Sequence, residues 1–206
     1  MKREIILASA SPRRKDILEK TGLKFSVEPS DLGEDFDSKL SPTQIAESLS
    51  LAKAKRIASH HQNSLIIGSD TIVVLDGEIL NKPLTKEEAE EMLKKLSGNT
   101  HSVISGFTVI EGDKIITGFE ETKVRFRSLS KEEISEYIDT GEPMDKAGAY
   151  GIQGGAGKFV EAIEGDYFNI VGLPLFALSD ALREFGIDIS PGIKNLPQPN
   201  FPGRVE

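Results

Sequence analysis

The run Leu7-Ala8-Ser9-Ala10-Ser11-Pro12-Arg13-Arg14 is where the sequence concentrates its chemistry. Residues 4–7 are apolar enough for an interior strand, Ser11 is a favoured N-cap, and Pro12 fits the first helical position, where its missing N–H costs nothing. Free main-chain N–H groups, the positive end of the helix dipole and the Arg13 and Arg14 guanidinium groups would then face one small volume. A phosphate suits it. The same residues also fit an ordinary solvated first turn, but cations are disfavoured at that end of the dipole and so ask for an anionic partner.

Further along, Asp70 ends the apolar run Leu65-Ile66-Ile67-Gly68, a position at the rim of a sheet where a rigid carboxylate can act as general base or metal ligand. Glu34, in an acidic loop, could supply a second hard oxygen for Mg2+ or Mn2+. Lys82 is fixed by Pro83 after a hairpin, whereas Lys53 sits near Lys55 and Arg56 and could belong to a solvated helix face. The segment from Met144 to Gly154 mixes small residues with Asp145, Lys146 and Gln153. Small residues admit a ligand to the backbone, and the Gln153 amide can both donate to and accept from a base edge. A plain structural loop would use the same glycines for unusual φ angles.

These groups need a frame, and the spacing predicts one. Helices are expected over 12–20, 42–59, 86–97, 131–140 and 174–185, opened by Ser11-Pro12, Ser41-Pro42, the Thr85 and Ser130 caps with Glu88 and Glu133, and Pro174. Strands are expected near 4–7, 25–28, 64–75 (a strand pair or one long bent strand) and 78–80, the last two joined at Asp76-Gly77, and as a long pair over 101–110 and 114–126. Residues 158–164 and 168–171 read as a further hairpin. Alternating helices and strands with hairpins among them predict a mixed sheet in one α/β domain over residues 1–186, followed by a proline-rich, irregular tail over 187–206.

Composition narrows the function. The 206 residues contain no cysteine, which removes disulfides, thiolate nucleophiles and Cys-ligated zinc. A net charge of −8 argues against a nucleic-acid polymer as partner and favours a focused site for one small anion. No apolar run approaches the roughly 20 residues of a membrane span, and a cytoplasmic protein is expected. P-loop, dinucleotide-binding, H-E-x-x-H and G-x-S-x-G patterns are all missing.

The ordered set Ser9-Ala10-Ser11-Pro12-Arg13-Arg14, Gly68-Ser69-Asp70-Thr71, Asn81-Lys82-Pro83, Leu96-Ser97-Gly98 and Asp145-Lys146-Ala147-Gly148-Ala149-Tyr150-Gly151-Ile152-Gln153 resembles the Maf family of nucleoside triphosphate pyrophosphatases. The resemblance implies a curved mixed sheet flanked by helices with a deep central cleft, as in the inosine triphosphate pyrophosphatases, and a homodimer. It implies cleavage of a nucleoside triphosphate to monophosphate and pyrophosphate with a divalent cation, Mg2+ or Mn2+. Asp70 matches the family's general base, and Ser9, Arg14, Glu34, Lys53, Lys82 and Lys146 its other functional polar positions. Arg13, Thr71 and Gln153 match the base-selecting positions of the branch acting on dTTP and UTP. Thr71 and Gln153 differ from the branch acting on 7-methyl-GTP. Gly33 departs from the second acid that relatives often carry before Glu34. A nucleotide-sensing regulator of cell division and a hydrolase of sugar nucleotides or other phosphate esters are the competing expectations.

Overall fold

The computed structural model describes residues 3–33, 37 and 39–197. Its seven-stranded sheet has the order β2-β1-β3-β5-β6-β7, with β4 paired to β3. The strands are β1 (Ile5–Ala8), β2 (Ser26–Val27), β3 (Leu65–Leu75), β4 (Glu78–Leu80), β5 (Thr100–Glu111), β6 (Lys114–Phe126) and β7 (Val160–Glu164). β1 runs parallel to both β2 and β3, while β3/β4 and β6/β7 are antiparallel, so the sheet is mixed. The helices are α1 (Pro12–Lys20), α2 (Pro42–Ala58), α3 (Lys86–Leu96), α4 (Lys131–Asp139), α5 (Tyr167–Val171), α6 (Leu175–Arg183) and α7 (Ser190–Ile193).

Local chemistry explains most of these boundaries. Ser11 caps α1 by accepting the Arg14 amide, with Pro12 in the first turn. The expected capping box of Ser130 with Glu133 forms on α4, and one not foreseen forms on α2 between Ser41 and Gln44. On α3 the Thr85 side chain accepts the Glu88 amide, but the Glu88 carboxylate takes the Leu84 amide and the box does not close. The β3–β4 turn places Asp76 and Gly77 at φ 49° and 83°, the left-handed pair that a two-residue hairpin of the expected type demands. No helix among the described residues is long and apolar enough to cross a membrane.

The chain forms two compact units, whose boundaries fall inside β3, β5 and β6 and after α5. The first holds the chain up to Thr71, Ser105–Glu120 and the segment from Gly172. Its core joins Ile6 and Ala8 of β1, Ile66 of β3 and Ile110 of β5 to Ala54 and Ile57 of α2. α2 lies very close to the strands: a Cβ at Gly68 would meet the Ser50 carbonyl and Ala54, and one at Gly106 would strike the Ala46 carbonyl. Ser50 and Thr108 share a hydrogen bond of 2.9 Å across the same contact.

The second unit holds Ile72–Ile104 and Glu121–Val171. Edge-to-face aromatic contacts fill its core, with Phe126 against His101, Tyr150 and Phe159 at centroid distances of 5.1, 4.8 and 6.0 Å. His101 is 2% exposed, and its Nε2 lies 2.8 Å from the Tyr150 hydroxyl. A hydrogen bond between two buried polar rings satisfies one nitrogen of this buried histidine.

Two segments depart from expectation. Residues 158–171 are not a hairpin: β7 stops at Glu164, and Tyr167–Val171 coils into α5. Asp166 Oδ1 accepts the Phe168 amide at 2.8 Å as a helix cap would, and Asn169 Nδ2 donates to the Val103 carbonyl and Thr122 Oγ1, each at 2.9 Å. A short apolar run cannot separate strand from buried helix by period alone. Beyond Gly186, where irregular chain is expected, α7 forms with Pro191 in its first turn, and Ile189 and Ile193 are each 3% exposed.

Burial pushes the His101 imidazole down from 6.5 to about 4. The folded protein therefore binds this proton less well than the unfolded chain. Stability attributable to His101 is complete above pH 6.5 and is lost as pH falls from there toward 4, by on the order of 3 kcal/mol. Urea unfolding measured between pH 7 and 4 is expected to show a shallower decline in His101→Gln than in the wild type. Parallel declines would show that the buried imidazole does not govern this window.

Candidate active site

In the first unit, β3 presents Asp70 and Thr71 as consecutive residues, and strand alternation sends them to opposite faces. Gly68 and Asp70 share the face covered by α2. Because glycine lets α2 approach so closely, Lys53, one turn from Ser50 and next to Ala54 of that contact, reaches Asp70 and donates to its Oδ1. The side chains of Lys53 and Asp70 are only 12% and 5% exposed. Lys53 thus points inward, away from the solvated face that Lys55 and Arg56 suggest.

The other face carries a hydrogen-bonded cluster around one main-chain oxygen. The Gly172 carbonyl accepts from Arg14 Nε at 2.7 Å, Ser69 Oγ at 3.2 Å and Thr71 Oγ1 at 3.3 Å. Arg14 also donates from Nη1 to Ser9 Oγ at 3.3 Å and from Nη2 to Thr71 Oγ1 at 3.0 Å. Ser9 Oγ in turn accepts the Ser11 amide at 3.1 Å, and Thr71 Oγ1 lies 2.7 Å from Ser105 Oγ. These neutral oxygens orient the guanidinium. Arg13, the preceding residue of α1, is half-buried.

Lys82, Lys146 and Gln153 belong to the second unit. Lys82 is exposed just after β4. The neighbouring Asn81 carbonyl accepts the Gly148 amide at 3.2 Å, tying this strand end to the glycine-rich segment. Gly148 has φ +67°, and a Cβ there would press on Val73 at 2.9 Å. Lys146 Nζ donates to the Glu142 carbonyl and Asp145 Oδ1, both at 2.6 Å. Gln153 is exposed, and its side chain hydrogen-bonds the Tyr167 hydroxyl. Burial nevertheless raises that phenol above its ordinary range.

Glu34 lies outside the described residues. Among the described residues no group of three or more His, Asp or Glu could hold a metal ion. Asp70 remains a buried hard-oxygen donor of the type that Mg2+ and Mn2+ take. Sequence reasoning missed Ser69, Ser105 and Gly172. Nothing in their types marks them, because their role depends on a main-chain oxygen brought from 101 residues beyond Thr71.

The Lys53–Asp70 pair predicts a measurable asymmetry. Lys53→Met strands a buried carboxylate and is expected to cost about 3 kcal/mol of unfolding free energy, whereas Lys53→Met with Asp70→Leu recovers most of it. Denaturant unfolding of both variants checks this. A double variant no more stable than Lys53→Met would show that the stranded charge is not the cause.

Comparison with known proteins places this geometry in context. Residues 4–185 match the family described as Maf-like protein. A dTTP/UTP pyrophosphatase of Symbiobacterium thermophilum is 46% identical over 189 residues, covering 92% of this chain and 97% of that one. That of Desulforamulus reducens is 47% identical over 190 residues, covering 91% and 99%. A third, from Dictyoglomus thermophilum, is 47% identical over 192 residues, covering 92% and 100%. Among solved structures, the Staphylococcus aureus Ham1 protein aligns with a TM-score of 0.42 and 17% identity over 60% of this chain and 72% of its own. With 182 of its residues matched in one continuous stretch, the chain belongs to the Maf family.

Proposed function

We propose that this protein is a nucleoside triphosphate pyrophosphatase acting on dTTP and UTP, releasing the monophosphate and pyrophosphate. Relatives carrying that name are 46–47% identical over nearly their full length. The observation that carries the chemistry is the buried carboxylate of Asp70 on β3, paired with Lys53 of α2 and next in sequence to Thr71, which Arg14 hydrogen-bonds.

Cleavage at the α-phosphorus builds negative charge on the leaving pyrophosphate, so the protein must chiefly position and neutralise. Asp70 accepts the proton of the attacking water, and Lys53 holds its carboxylate in place. Arg14, fixed by Ser9, Thr71 and Gly172, presents its charge to phosphate oxygens, together with Arg13, Lys82 and Lys146. The sequence has no cysteine, and the serines of the cluster are engaged in the Gly172 and Arg14 network, so direct attack by water is the simplest course. Asp70 with Glu34 would hold a divalent cation, Mg2+ or Mn2+, which would supply neutralisation of phosphate charge. Thr71 and Gln153 read the pyrimidine edge. A homodimer in the cytoplasm goes with the same reading.

The test is product identity. Purified protein with Mg2+ or Mn2+ is expected to release pyrophosphate from dTTP and UTP, with Asp70→Asn slower by about 10²–10⁴-fold while still folded. Inorganic phosphate or a sugar phosphate as product would instead indicate an ester hydrolase. Tight binding without turnover would indicate a nucleotide sensor.

A further inference from the structure

The loop that carries Gln153 is held on both sides by one pair of side chains. Tyr137, near the end of α4, accepts the Gly151 amide on its hydroxyl oxygen at 3.1 Å and donates its proton to Glu142 Oε1 at 2.9 Å. The other oxygen of that carboxylate, Oε2, accepts the Gly155 amide at 3.0 Å. Gly151 lies two residues before Gln153 and Gly155 two residues after it.

The glycines around Gln153 exist for this carboxylate. A Cβ at Gly154 would land on the Glu142 carboxylate, and one at Gly151 would meet both the Lys146 stem and Glu142 Oε1, the latter at 3.1 Å. Glu142 also sets Lys146, whose ammonium donates to the Glu142 carbonyl at 2.6 Å. Its own amide is fixed in turn by Thr140 Oγ1 at 3.1 Å. At the far end, the Tyr137 ring packs edge-on against Phe159 with a centroid distance of 5.3 Å. The whole set lies within the second unit.

We propose that Tyr137 and Glu142 form a brace that positions Gln153 and thereby governs which pyrimidine the enzyme accepts. Neither residue touches the reacting atoms, so both are positioning residues. The proposal rests on the assignment of Gln153 to the base edge. A glutamine amide can present its oxygen or its nitrogen, and uracil and cytosine reverse the donor and acceptor at their 4-position, so discrimination depends on where the amide is held. Main-chain anchors at 151 and 155 leave the intervening residues little freedom to shift.

The experiment compares Tyr137→Phe, Glu142→Gln, Gln153→Ala and the double variant Tyr137→Phe/Gln153→Ala, measuring kcat and KM for UTP, dTTP and CTP alongside thermal unfolding. Tyr137→Phe keeps the ring and its packing on Phe159 but removes the bridge. Both brace variants are expected to raise KM for UTP and dTTP by about tenfold and to erode preference over CTP similarly, with kcat changed by less than about twofold. The double variant is expected to lose no more selectivity than Gln153→Ala alone. A lowered melting temperature with an unchanged UTP-to-CTP ratio would overturn the brace and leave it a purely structural pair, as would additive losses in the double variant. If Gln153→Ala itself left the ratio intact, the assignment of Gln153 would be what failed, and the proposal would fall with it.

Discussion

Everything in the first unit depends on how closely α2 can lie against the strands. Gly68 and Gly106 remove the two Cβ atoms that would hold the helix off, and main-chain atoms of Ala46 and Ser50 occupy the space. That approach fixes the depth of Lys53. A lysine on a helix one or two ångströms further out would end in water, with no reason to give up its hydration for Asp70. Here it is drawn into a low-dielectric pair, which is costly to form and costlier to break from one side. Packing, in other words, decides where the charge goes.

The same logic separates the two faces of β3. The face of Asp70 is governed by close helix packing and an ion pair. The face of Thr71 is governed by neutral hydrogen bonds that orient Arg14. Putting both on consecutive residues of one rigid strand sets the relative height of carboxylate and guanidinium without a flexible loop between them, which is the precision that positioning chemistry requires.

Much of the frame was legible in the sequence because its signals are local. Ser11-Pro12, Ser41-Pro42, the Ser130–Glu133 capping box and Asp76-Gly77 each specify a backbone geometry within four residues, and α1, α2, α4 and the β3–β4 turn form as they dictate. The residues of β4 and β6 follow from their period and flanking turns. What was not legible depends on distant partners. Residues 167–171 are apolar enough for a strand, and only Asp166, Val103 and Thr122 make them helical. The prolines after Gly186 suggest an irregular tail, yet Ile189 and Ile193 find apolar cover. Lys53 shares its neighbourhood with Lys55 and Arg56, so its burial could not be told from theirs without the glycines across the interface. Arg14 was marked by its place in the first turn of a helix, Ser9 and Thr71 by the family resemblance, and the hydrogen bonds between them give that grouping a physical basis.

The acceptor at the centre of the Thr71 face is a main-chain oxygen, and its direction is set by a dihedral. Gly172 has φ +120°, a value that side-chain-bearing residues rarely adopt. Any replacement would have to rotate the peptide to relieve itself, and the carbonyl would swing with it. Arg14, Ser69 and Thr71 would then lose their common acceptor at once rather than one by one. Three polar side chains drawn from α1 and β3 thus share one acceptor whose direction a single torsion sets, while Ser69 on the Gly106 carbonyl, Thr71 on Ser105 and Arg14 on Ser9 keep contacts of their own.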